Sequence, residues 1–86
     1  MQIYYSSKFE REYKKLPKRI KELAEEKEDV FRKNPFNEKL ETHKLHGRLH
    51  GLWAFWIDHK NRVIFEFAEK DVVWFHSVGD HSVYKK

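Results

Sequence analysis

The 86-residue chain suits a single domain over residues 1–86, and a domain this short buries only about 60–65% of its unfolded surface, so its core has to be small and dense. Cysteine is absent, which excludes disulfides and thiolate metal sites and leaves packing, chiefly by 7 Phe, 4 Tyr and 3 Trp, to hold the fold. A net charge of +4 favours anionic partners, nucleic acid or an acidic protein surface alike. No apolar run approaches the roughly 20 residues of a membrane span. Met1–Ser7 also lacks the basic-then-apolar pattern of a secretory signal, so a cytoplasmic domain with no membrane partner is expected.

Ile3-Tyr4-Tyr5 is a β-prone run and predicts a first strand. Ser7-Lys8-Phe9-Glu10 has the form of a capping box, and Phe9, Tyr13 and Leu16 follow on one helical face. Pro17 breaks that helix and fits the first turn of a second. There Ile20, Leu23, Ala24, Val30 and Phe31 form an apolar stripe that Asn34-Pro35 ends. The cations Lys8, Arg11, Lys14, Lys15, Lys18, Arg19 and Lys21 gather around this helical turn. Glu10, Glu12 and Glu22 dilute their field, which favours a solvated surface over a phosphate track.

Residues 34–51 read as loop, punctuated by Pro35, Asn37, Gly47 and Gly51. Three strands then follow, over roughly Leu52–Asp58, Arg62–Ala68 and Val72–Gly79, with links short enough for hairpins. Alternation places Trp53, Phe55, Ile57, Val63, Phe65, Phe67, Val73 and Phe75 on one wholly apolar face. The other face mixes Ala54, Trp56, Asp58, Arg62, Ile64, Glu66, Trp74, His76, Val78 and Asp80, and is the expected surface for a partner or substrate. The predicted architecture is α+β: an N-terminal strand, a two-helix hairpin, then a three-stranded antiparallel meander packed on the helices.

His43, His46 and His50 have a spacing that would share one helical face and bind zinc, but Gly47 and Gly51 argue against a helix, so these read as polar loop residues and no metal is expected. His59 in a hairpin link is expected to be solvated, and His76 to serve as a hydrogen-bonded strand residue. His81 follows Gly79-Asp80 at the end of the last strand, where imidazole is suited to proton transfer near neutral pH. Arg62 opens the middle strand on the mixed face. Its guanidinium could hold a phosphate through two parallel hydrogen bonds, as could the loop cations Lys44 and Arg48. P-loop, dinucleotide-binding, nucleophile-elbow and paired-carboxylate signatures are missing.

Lys44-Leu45-His46-Gly47-Arg48-Leu49-His50-Gly51-Leu52-Trp53, followed by Ile57 and Arg62-Val63-Ile64-Phe65, resembles the K-L-x-G-x-L-x-G-x-W…R-V-I-[YF] block of the RelE/ParE toxin superfamily. Val78-Gly79-Asp80-His81-Ser82-Val83-Tyr84 resembles the V-G-x-H-x-x-[IV]-Y ending of its RelE-, YoeB- and YafQ-like members, and Tyr4–Leu16 is loosely similar to the family's opening. The resemblance implies a RelE-like toxin of a type II toxin–antitoxin system, a ribosome-dependent endoribonuclease that cleaves mRNA and inhibits translation without a metal or other cofactor. It implies that Arg62 stabilises the phosphate and that His81 is an acid or base, with Tyr84 the neighbouring aromatic. Arg48 stands where YoeB-like members carry a glutamate base, and Trp56 where many relatives carry arginine or histidine. The general base is therefore open, with His50 and His46 as candidates and Trp56 as a ring on which a base could stack. On this reading Lys44, His46, Arg48 and Trp56 contact RNA. Loss of Arg62 or His81 is expected to remove activity and leave the fold intact. The implied partners are a cognate antitoxin, the ribosome and mRNA, with operator DNA bound through the antitoxin. Two alternatives stay open: a ParE-like gyrase inhibitor, against which the His81 ending argues, and an inactive toxin that only binds its antitoxin.

Overall fold

The computed structural model describes residues 1–80 and Val83. Among these residues, two α-helices, α1 (Ser7–Lys14) and α2 (Lys18–Lys33), pack on one face of a five-stranded sheet. The strands are β1 (Gln2–Tyr5), β2 (His43–Lys44), β3 (Trp53–Trp56), β4 (Arg62–Glu69) and β5 (Val72–Gly79), in the order β1-β5-β4-β3-β2. β1 runs parallel to β5, and the remaining pairs are antiparallel. The expected α+β architecture is present, with β2 added at the edge of the meander.

The apolar face assigned by alternation forms the core. Phe55, Ile57, Val63, Phe65, Val73 and Phe75 are buried there with Ile3, Phe9, Ile20, Ala24, Phe31 and Leu40, while Trp53 and Phe67 flank them half-buried. Phe31 of α2 is its centre, fully enclosed and with ring centroids 4.9–5.5 Å from those of Phe65, Phe55 and Phe75. Edge-to-face geometry at two of these contacts adds to the area buried.

Three local features differ from expectation. The N-cap of α1 is Ser6, not Ser7: the Ser6 Oγ accepts from the Phe9 amide at 3.0 Å and donates to the His76 carbonyl at 2.9 Å. One hydroxyl thus satisfies an orphan helix donor and ties the helix start to β5. Second, residues 43–44 form a strand of only two residues, too short for periodicity to detect. Third, the β4–β5 register slips: Phe65 faces Phe75 but Ile64 faces Ser77. The bulge at His76 reverses the alternation beyond it. Val78, expected on the mixed face, is therefore in the core.

β1 flanks β5 only as far as Phe75, which would leave the backbone beyond that point unpaired. α1 covers this stretch: one carboxylate oxygen of Glu12 accepts from the Val78 amide at 3.0 Å and from the Ser77 hydroxyl at 2.8 Å. A side chain supplies the acceptor that a neighbouring strand would have supplied.

Candidate functional site

The sheet face opposite the helices is divided. One part is closed: Ala54, Ile64 and Val83 are buried together, with Leu45 and Leu52 leaning on them from the 45–52 segment. That segment carries a 3-10 turn, Gly47–Leu49, bracketed by Gly47 at φ 67° and Gly51 at φ 91°. These left-handed values suit glycine and prevent the helix that a three-histidine zinc site would need. The other part of the face stays open, with Tyr4, Glu66, Trp74 and His76 along it.

Two clefts meet at Leu52. The first, of about 430 Å³, lies on the sheet face and is lined by Ser6, Lys8, Leu49, Leu52, Ile64, His76, Ser77 and Val83. Its polar groups converge: Lys8 Nζ is 3.1 Å from the Ser77 hydroxyl and 3.5 Å from Glu12. The His76 Nε2 is 2.9 Å from a Glu66 carboxylate oxygen. The second cleft, of about 500 Å³, is lined by Lys44, Leu45, His46, His50, Gly51, Leu52, Trp53 and Phe67. Lys44 also sits over the Trp53 ring at 5.5 Å, a cation–π contact.

Lys44, His46 and His50, three of the residues singled out in the sequence, are therefore brought together around one cleft. Arg48 is exposed on the turn that separates the two clefts. Among the described residues, no group of three or more His, Asp or Glu is placed to share a metal ion. His81 and Tyr84 lie outside the described residues. Val83, between them in sequence, is buried in the wall of the first cleft, and its amide donates to the Asp80 carbonyl.

Arg62 differs from expectation. It is only 5% exposed, and its Nη1 donates to the carbonyls of His59 at 2.6 Å and Asp58 at 2.8 Å. The guanidinium carbon also lies 4.2 Å from the centre of the Trp56 ring. The 57–61 turn thus folds around this side chain, with the Asp58 carboxylate accepting from the amides of Lys60 and Asn61. Burial alone would raise the Asp58 pKa, but the hydrogen bonds from Asn61 and Lys60, with the charge of Arg19, outweigh it and hold the carboxyl below its usual range. An arginine engaged in this way cannot also present its Nη1 donors to a phosphate. Burial and these backbone contacts weigh against the expectation that its loss leaves the fold intact.

Sequence reasoning did not single out Lys8 and Ser77 as lining this cleft, and it read His76 chiefly as a hydrogen-bonded strand residue. The signal for Lys8 was weak, because it was one of seven helical cations, and its position over the sheet depends on the Ser6 cap. Ser77 was invisible because the bulge decides which way it points.

The overall fold matches that of known toxins. YafQ from E. coli strain BL21(DE3) superposes with a TM-score of 0.81 at 19% identity, over 99% of this chain and 98% of that one. A YoeB/ParE toxin from Agrobacterium tumefaciens gives 0.80 at 15% identity, over 94% and 99%. The E. coli DinJ–YafQ toxin–antitoxin complex gives 0.77 at 20% identity, over 95% and 93%. At these identities the likeness is one of fold. Among functionally curated sequences none matches the chain. The model of the YafQ family, bacterial toxins of type II toxin–antitoxin systems, matches residues 1–85, nearly the whole chain, and the chain therefore belongs to that family.

Proposed function

We propose that this toxin cleaves mRNA on the ribosome by metal-independent transesterification. In that reaction the ribose 2′-oxygen forms a bond to the adjacent phosphorus as the bond from phosphorus to the 5′-oxygen breaks. A base takes the 2′ proton, an acid returns a proton to the departing 5′-oxygen, and the products are a 2′,3′-cyclic phosphate and a 5′-hydroxyl. The observation that carries the reading is the first cleft, where a lysine, a serine and a histidine line apolar walls that include Val83. Lys8 supplies the charge that stabilises the phosphorane-like oxygens, since Arg62 is engaged by backbone carbonyls. Arg62 acts as a positioning residue that holds the Trp56 ring, whose other face can stack on a nucleobase. His81 serves as acid or base, with Tyr84 the aromatic three residues on in the sequence. His50 or His46 in the adjoining cleft supplies the complementary group, and Lys44 and Arg48 hold the RNA backbone.

The partners on this reading are the ribosome, mRNA and a cognate antitoxin, whose complex with the toxin binds operator DNA through the antitoxin. Positive charge on the toxin speeds encounter with an acidic antitoxin surface. The test is to add the purified chain to a translating extract and to a gyrase supercoiling reaction. Ribosome-dependent cuts in mRNA, lost in His81→Ala, support the proposal. Gyrase inhibition with intact mRNA overturns it in favour of a ParE-like toxin, and silence in both assays overturns it in favour of a toxin that only binds its antitoxin.

A further inference from the structure

Tyr4 and Trp74 are directly opposed across the β1–β5 pair, with ring centroids 5.0 Å apart and an interplanar angle of 28°. They are 45% and 37% exposed, whereas Val73 and Phe75, on either side of Trp74, are each 1% exposed. Trp74 is thus left in water by the alternation that sends its neighbours inward, and its ring is stacked on a tyrosine without being buried by it.

The surroundings indicate what these rings would hold. Trp74 pairs with Glu66 on its other side, so Tyr4, Trp74 and Glu66 form one row across the sheet. Glu66 is bonded to His76, and His76 lines the first cleft. A pair of flat rings bordered by a carboxylate and an imidazole, continuous with that cleft on a cationic protein, fits a heteroaromatic ring with hydrogen-bonding edges.

We infer that Tyr4 and Trp74 form a stacking platform for a single-stranded nucleobase of the RNA held in the first cleft. The inference rests on the RNA-cleavage reading and names a binding contact of that same site. A base extends the two-ring stack to three, with Glu66 accepting from its exocyclic amine. Stacking tolerates any base, while the carboxylate favours adenine, cytosine and guanine over uracil.

The test uses the full chain with Trp74→Ala, Trp74→Phe and Tyr4→Ala in single-turnover cleavage of mRNA on programmed ribosomes. Loss of a stacked base is expected to raise the half-saturating toxin concentration on the order of tenfold in Trp74→Ala, with the rate at saturation unchanged. Trp74→Phe is expected to stay near wild type. A parallel arm measures binding of a single-stranded RNA oligonucleotide by fluorescence anisotropy, which needs no cleavage. Equal affinity of wild type and Trp74→Ala in that arm overturns the platform even if wild type cleaves. A wild type that binds the oligonucleotide more tightly than Trp74→Ala but cuts no mRNA supports the platform and overturns the cleavage reading. A defect confined to antitoxin binding makes the rings a protein-docking surface and overturns the inference.

Discussion

Replacing Arg62 tests whether this arginine is a structural element of the 57–61 turn. Arg62→Ala removes two hydrogen bonds from a charged donor, to the carbonyls of His59 and Asp58. Each is worth about 1.5–3 kcal/mol net, and the stack on Trp56 adds about 1 kcal/mol. Water can reach the vacated carbonyls, because His59 and Lys60 are exposed, so the lower end of that sum applies, about 4 kcal/mol. A domain of this length is stable by only about 4–13 kcal/mol, and each kcal/mol moves its Tm by roughly 4–8 °C. Thermal unfolding followed by circular dichroism should therefore place the Arg62→Ala midpoint roughly 16–32 °C below wild type. Arg62→Lys keeps one charged donor but loses the planar stack, and should fall between the two. Activity of both variants is then to be compared where each is fully folded. An Arg62→Ala protein that melts within about 2 °C of wild type refutes the structural role and returns the guanidinium to the phosphate.

Phe31→Ala empties the centre of the core and should cost about 3–5 kcal/mol by urea unfolding, enough to leave little folded protein. Glu12→Ala strands the Val78 amide and should cost about 1–3 kcal/mol, with faster hydrogen exchange at Val78 as the local readout. The folded-state pKa of Asp58 is held below the ordinary aspartate value, so its contribution is fully present above that value and is lost as pH falls through the folded one. Asp58→Asn should flatten the acid limb of a stability–pH curve and leave neutral-pH behaviour of the remaining carboxylates unchanged. Tyr5 behaves in the opposite sense. Burial first, then its hydrogen bond to Glu28, pushes its pKa up to about 12, so stability linked to the neutral phenol is present below pH 10 and lost as pH rises through the folded value. Tyr5→Phe should reduce that alkaline loss in a melt series from pH 9 to pH 12.

The elements were legible wherever a residue's own neighbours along the chain decide its place. Two-residue alternation identified the inward face from Trp53 to Phe75, and the stripe from Ile20 to Phe31 identified α2. What escaped depends on contacts between distant segments. The Ser6 cap is selected partly by the carbonyl of His76, seventy residues away. The bulge at His76 shifts Val78 inward, and alternation counted along β5 alone cannot register a slip against β4. The candidate site divides in the same manner. Lys44, His46 and His50 are close in sequence and line one cleft, whereas Lys8 meets Ser77 only because α1 crosses the end of β5. Arg62 escaped for a related reason: its burial depends on the preceding turn closing around it.

The position of β5 between β1 and β4 has a consequence for how the chain is made. Gln2 pairs with Val72, so the first strand synthesised has no partner until one of the last has emerged. The cleft shares that dependence, since Ser6 and Lys8 come from the first segment and His76 and Ser77 from the last. A nascent chain can form α2 locally, but it cannot assemble the cleft until β5 has left the ribosome. Vectorial synthesis thus acts as a timer that withholds the assembled cleft from a growing chain until β5 is free to pair.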